Sequence, residues 1–218
     1  MADENTGEET YDAKTAYSEY SSATGYEDRP FYQGPLGWYR KRLERTTIAA
    51  LTGMADSGSK ILDLPCGNGR WFETLSKRAD ALVAIDVSPG MLKFARTRAE
   101  SLSIDIEFHQ ASAESIPLED GAVDYAFSYA LMKHLPVPVQ YRVLAEFSRV
   151  SRKGVVCSFG VLKHLSYALW RRRNLEESYP VFVEEIGWMA AEAGLRVDEV
   201  RRCSTPVGLE HLARFTKL

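Results

Sequence analysis

The chain has 218 residues, 45% hydrophobic and 26% charged, with a formal net charge of −3 and three cysteines. This length suits one sizeable domain rather than two joined by a linker, and the composition is that of an ordinary globular protein. The charge is uneven: residues 1–30 carry eight acids and two bases, and the remainder carries 22 acids and 25 bases. That mild positive excess is no footprint for nucleic acid, which wants a strongly basic face.

Cys66, Cys157 and Cys203 are far apart and odd in number. They form neither a disulfide framework nor a C-x-x-C zinc pair, so no metal is expected. Cys157, inside GVVCSF, reads as a small buried hydrophobe. The start, MADENTGEET, is acidic and lacks an apolar core, and no apolar run of membrane-spanning length exists. The expectation is a cytoplasmic protein with no transmembrane segment.

Residues 1–10 read as a disordered acidic tail. Residues 11–36 read as an aromatic segment, the first part of a stretch with eight aromatics over residues 11–39. Such rings either anchor a segment across a domain or cap a pocket, and the cap is the favoured reading. One domain is expected over residues 37–218, opening with a helix near 37–52 that ends at Gly53.

The run KILDLPCGNGRW, Lys60 to Trp71, follows. Ile61, Leu62 and Leu64 surround Asp63, and glycines at 67 and 69 mark a tight turn before a helix. In this arrangement backbone amides approach a ligand closely. A second strand-like run, ALVAID, ends in Asp86. A Gly-rich first turn with an acid at the tip of the second strand is how doubly wound folds hold a nucleoside. Spacing narrows the choice. The dinucleotide pattern G-x-G-x-x-G needs a third glycine where Phe72 stands, and the P-loop needs a Gly-Lys-Ser/Thr that is missing.

The acid, Pro65, Gly67 and Gly69 resemble motif I, (D/E)-x-G-x-G-x-G, of the class I S-adenosylmethionine-dependent methyltransferases, with proline in place of the first glycine. Proline locks φ and donates no amide, so the turn survives where neither a positive φ nor a donor is needed. VAIDVSPGML (83–92), FHQASAESIPLEDGAVDYAFS (108–128) and LAEFSRVSRKGVVCSF (144–159) are similar to the family's later blocks, in order. Strands at 60–64, 81–86, 104–109, 123–128 and 154–159 alternate with helices at 69–78, 89–101 and 138–149. A helix near 181–193 ends at Gly194, and two strand candidates follow at 195–201 and 209–217. The fold class expected is α/β: a Rossmann-like, mostly parallel sheet of about seven strands with helices on both faces. Family resemblance makes the last two strands an antiparallel hairpin.

The resemblance implies S-adenosylmethionine as cofactor. Its pocket would comprise Asp63, Pro65, Cys66, Gly67, Asn68 and Gly69 at the first turn, and Asp86, Val87 and Met91 at the second. Ser112, Ala113 and Glu114 would lie beside the adenine, and Ser128 at the end of the fourth strand. A carboxylate at 86 suits two vicinal ribose hydroxyls. Asp63 and Asp86 also read as turn or helix caps, and Met91 as plain core. Ser88 and Pro89 read as an N-cap and first helical residue. Ser112 stands where the family often has an aspartate.

For the acceptor side, His134 in SYALMKHLP is the candidate base or acceptor-positioning residue, with Tyr129 nearby; its alternative is to satisfy local backbone groups. Trp170 with Arg171, Arg172 and Arg173 reads as a grip for an anionic or lipid-linked acceptor, or as a solvated helix face. The function expected is methyl transfer to oxygen or nitrogen of a small-molecule or lipid- or saccharide-linked acceptor, with peripheral membrane contact as an option. The rivals are a non-catalytic nucleotide-binding subunit with this fold and an NAD-dependent oxidoreductase.

Overall fold

The computed structural model describes residues 33–56, 58–162, 178–204 and 209–218. The expected acidic tail, nearly all of the aromatic segment, and Trp170 with Arg171–Arg173 lie outside the described residues.

Helix α1 (Gly34–Leu51) leads into β1 (Lys60–Asp63), the short α2 (Phe72–Leu75), β2 (Ala81–Asp86), α3 (Pro89–Leu102), β3 (Ile106–Gln110) and β4 (Val123–Ser128). Helix α4 (Val137–Val150), β5 (Ser151–Leu162), β6 (Val181–Phe182), α5 (Val183–Glu192), β7 (Leu195–Arg202) and β8 (Glu210–Lys217) follow. The strands form one sheet in the order β3-β2-β1-β4-β5-β8-β7, with β6 added alongside β5. All pairings are parallel except those of β8, which runs antiparallel to both β5 and β7. The expected α/β sheet with a C-terminal antiparallel hairpin is present. The strand order reverses between β1 and β4, and in such sheets ligands bind beyond the carboxyl ends at that point.

The central strands are largely buried and mostly apolar because helices cover both faces. Alternation sorts the side chains into two cores. Leu62, Val83, Ile85, Ala126, Val155 and Cys157 face one, with α4 and α5. Ile61, Leu82, Ala84, Phe127 and Val156 face the other, with α1, α2 and α3. With a period of two, Asp63 and Asp86 share the second face with Ile61 and Ala84.

Local chemistry sets several boundaries. Ser88 caps α3, its hydroxyl accepting from the Met91 amide at 3.3 Å, with Pro89 in the first turn. Gly194 ends α5 at φ +67°, the left-handed conformation glycine adopts without penalty. Three elements differ from expectation. The helix foreseen at 69–78 shrinks to α2, because Gly69 at φ +77° keeps the chain in turns up to Trp71. The helix foreseen from 181 starts at Val183, because Val181 and Phe182 pair with Val161 and Leu162. That pairing also lengthens β5 beyond residue 159.

Candidate functional site

The turn after β1 is anchored on both neighbouring strands. The Leu64 amide donates to Phe127 O at 3.0 Å and the Cys66 amide to Ile85 O at 2.9 Å. Pro65 sits between these two donors, at the one place where a missing amide costs no bond. Gly67 and Gly69 both have positive φ, +52° and +77°. Their small size serves different ends. A Cβ at Gly69 would lie 2.4 Å from the Phe72 ring, whereas a Cβ at Gly67 would meet nothing within 4 Å. Phe72 is fully buried. Its ring thus takes the volume beneath Gly69 where a dinucleotide fold would place its third glycine.

Asp86, at the tip of β2, reaches across to this turn. Its Oδ2 accepts from the Gly67 amide and its Oδ1 from the Ser88 amide, both at 2.9 Å. Burial raises its pKa, opposed by the amides of Ser88, Gly67 and Val87. Asp63 is 0% exposed, and neither carboxylate oxygen has a hydrogen-bond partner among the described residues. Burial first, and the charge of Asp86 second, push its pKa well above the usual carboxylate range. An unpaired buried carboxylate is costly unless a cation or donor meets it. Cys66 is buried, and burial followed by the charges of Asp63 and Asp86 raises its thiol pKa.

The remaining residues singled out from the sequence divide into near and far. Val87 directly follows Asp86 and its carbonyl accepts from the Gln110 side chain at 3.1 Å, while Met91 lies in the first turn of α3. Asn68 lies between the two glycines and is half-buried. The Ser112 hydroxyl accepts from the Glu114 amide at 3.3 Å. Ala113 packs against the α4-side core. The Glu114 carboxylate is taken by Arg142 of α4, at 2.7 and 3.0 Å, so it faces that helix. Ser128 is buried next to the Cys157 thiol. By alternation it shares the face of Ala126, opposite to Asp63 and Asp86. His134 is half-buried at the end of the short turn Met132–His134, its amide donating to Leu131 O.

A second polar group lies beyond the end of β4, and most of it was not singled out from the sequence. Because Ser128 pairs with Cys157, residues 158–162 of β5 project past β4. The chain leaves β4 through Ala130 at φ +62°, a left-handed conformation that costs a non-glycine residue roughly 1–2 kcal/mol. The Ala130 amide donates to Ser158 Oγ at 2.7 Å. That hydroxyl donates to Glu210 Oε1, and Lys133 Nζ meets Glu210 Oε2, each at 2.7 Å. Tyr129 is buried with its ring 5.1 Å from Trp71, and its hydroxyl bonds the buried Cys203 thiol. Glu44 of α1 forms an ion pair with Arg70, which follows Gly69. These residues come from six separated stretches, so no local pattern could have announced them as a group.

Among the described residues, no cluster of His, Cys, Asp and Glu is placed to hold a metal. No helix among them is long and apolar enough to cross a membrane.

Residues 61–154 match the family model described as a methyltransferase domain. A malonyl-[acyl-carrier protein] O-methyltransferase of Serratia marcescens is 34% identical over 125 residues, covering 55% of this chain and 46% of that protein. A demethylmenaquinone methyltransferase of Lactococcus lactis subsp. lactis is 34% identical over 127 residues, again 55% of this chain and 46% of that protein. The chain thus matches about half the length of these curated relatives. Among solved structures, a magnesium protoporphyrin IX methyltransferase from Synechocystis PCC 6803 with bound S-adenosylhomocysteine superposes with a TM-score of 0.77 at 12% identity, covering 95% of this chain and all of that one.

Proposed function

Because the chain belongs to the class I S-adenosylmethionine-dependent methyltransferases, we propose that it transfers a methyl group to an oxygen or nitrogen of a small-molecule or lipid- or saccharide-linked acceptor, an anionic one in first place. The observation that carries the donor half is Asp63, a fully buried carboxylate with no partner among the described residues, at the base of a turn held by Asp86. S-adenosylmethionine brings an ammonium and a sulfonium, two cations, together with two vicinal ribose hydroxyls. Asp63 suits the cationic end and Asp86 the hydroxyls. Gly67 leaves open space against which a ligand can lie on bare backbone. The residues therefore fit the family's cofactor.

When bound, S-adenosylmethionine supplies an electrophilic methyl group. The protein's part is to hold a nucleophile in line with it at near-attack distance. Lys133, Ser158 and Glu210 stand at the carboxyl ends of β4 and β5 and at the start of β8, at the same end of the sheet as the donor turn. The Lys133 ammonium suits an anionic acceptor group, and Glu210 holds it in place. His134, one residue on, is the side chain we assign to receive a proton when the acceptor is a hydroxyl or amine. The names of the two curated relatives, a malonyl-[acyl-carrier protein] O-methyltransferase and a demethylmenaquinone methyltransferase, suggest the first acceptors to try.

The test has two stages. Calorimetry with S-adenosylhomocysteine should detect binding, and the same titration with NAD should not. Acceptors spanning carboxylates, phenols and amines, free and lipid-linked, are then incubated with S-adenosylmethionine labelled in the methyl group. Label in an anionic acceptor, with release of S-adenosylhomocysteine, is the result expected. Cofactor binding with no transfer to any acceptor class would favour a non-catalytic role.

A further inference from the structure

Helix α1 buries Gly37, Glu44, Thr47, Ile48 and Leu51, and Glu44 is the charged residue among them. Apolar residues serve an inward helix face at lower cost, since a buried carboxylate carries a desolvation penalty. Glu44 meets the Arg70 guanidinium, with only 5% and 13% of the two side chains exposed. Arg70 directly follows Gly69, at the point where the donor turn closes. Its guanidinium lies 4.6 Å over the Trp71 ring. Trp71 stands edge-on to Tyr129 at 5.1 Å and to Phe127 at 6.4 Å. Tyr129 in turn bonds Cys203 at the end of β7. One line of contact therefore runs from α1 through the glycine turn to the exit of β4.

We propose that Glu44, Arg70 and Trp71 are positioning residues: they hold the Gly67–Gly69 turn in its ligand-ready conformation and fix it against Tyr129, so that docking of α1 and binding of the cofactor reinforce each other. The inference rests on the donor-site reading above. Arg70 is suited to the task because its planar fork bonds a carboxylate while its face stacks on an indole, which a lysine cannot do at once. A turn with two left-handed glycines loses much backbone freedom when it is ordered. A clasp that orders it in advance removes that cost from binding.

Calorimetric affinity for S-adenosylhomocysteine, measured on the full chain, tests this. Glu44→Gln and Arg70→Met should each weaken binding about tenfold, and the double variant should be no weaker than the weaker single, because both act through one contact. Arg70→Lys, which keeps the charge without the stacking plane, should fall between Arg70→Met and the unaltered protein. If Glu44→Gln does not fold, Glu44→Asp withdraws the same charge by one methylene and should weaken binding about threefold. Folded variants that bind within twofold of the unaltered protein, even with a lowered melting temperature, would make the clasp purely structural and overturn the proposal. So would additive losses of about a hundredfold in the double variant. An unaltered protein that does not bind S-adenosylhomocysteine would instead sink the donor-site reading, and this inference with it.

Discussion

Two buried acids on the same sheet, Asp124 at the amino end of β4 and Asp63 at the carboxyl end of β1, are treated in opposite ways. Asp124 accepts from the Lys60 amide at 2.9 Å and pairs with Arg152 at 3.1 Å and Lys153 at 3.6 Å. Burial alone would raise its pKa, but the Lys60 amide and Arg152 outweigh it and hold the carboxyl below its ordinary value. Asp63 has no partner among the described residues, and burial and Asp86 drive its pKa upward. At one end of the sheet the fold neutralises its own charge; at the other it leaves charge for something else to meet. The difference sets the carboxyl end of the sheet, where the donor site is proposed, apart from the amino end, and it does so without reference to any relative.

The contrast can be broken from either end. Gly69→Ala should be the most damaging change, because the new methyl would meet the Phe72 ring at 2.4 Å in a backbone with φ +77°. Overpacking and left-handed strain together should cost roughly 2–4 kcal/mol, read by urea denaturation, with cofactor binding lost. Gly67→Ala, in open space, should keep most of the stability while still weakening cofactor binding. Equal effects at the two glycines would contradict the roles assigned to them.

Asp86→Ala comes next. Cofactor affinity should fall at least about tenfold, or about 1.4 kcal/mol, since the site loses the hydroxyl acceptor and the anchor of the Gly67 amide. Unchanged affinity by calorimetry would remove Asp86 from the pocket.

Asp63→Asn separates binding from stability. Asp63 has a raised folded-state pKa, so it favours the folded state at low pH and that contribution is lost as pH rises through the folded value. The ligand-free Asn variant, neutral at every pH, should therefore melt above the unaltered protein at pH 8. The gap should close as pH falls toward about 4, the unfolded carboxylate value. Cofactor binding should weaken at the same time. A variant that melts lower at pH 8 would mean that Asp63 is satisfied inside the fold.

Asp124→Asn is the mirror image and the mildest change. It should cost about 1 kcal/mol of stability at neutral pH, with the difference vanishing below the depressed folded-state pKa of Asp124. Cofactor affinity should stay within twofold. Any larger loss of binding would blur the line between the two ends of the sheet.

How much of this could be read in advance depended on how local the information was. The strand, glycine turn and acid of KILDLPCGNGRW, and the acid closing ALVAID, lie within 27 residues of one another. The register that pairs Asp63 with Ala84 then puts Asp63 and Asp86 on one face. The Ser88 cap and the Gly194 helix end were legible for the same reason, since each is a backbone requirement met by one residue type. The β6 pairing was not, because Val181 and Phe182 join a sheet strand 20 residues earlier in the chain. Nor was the turning of Ser128 toward Cys157, or of Glu114 toward Arg142, since both depend on what the neighbouring element presents.

The sequence by itself determined the class of fold and pointed to the proposed donor half of the site, because hydrophobic period, turn chemistry and the tip of a strand act over a few residues. Only the tertiary structure brought Glu44 to Arg70, Tyr129 to Cys203, and Lys133 with Ser158 to Glu210. Those contacts join residues up to 77 positions apart, and they exist because packing the two cores sets β8 between β5 and β7 and lays α1 against the glycine turn. Asp63 shows both sources at once. Its place in a motif is written in the chain, while its burial without a partner among the described residues was decided by what folds around it.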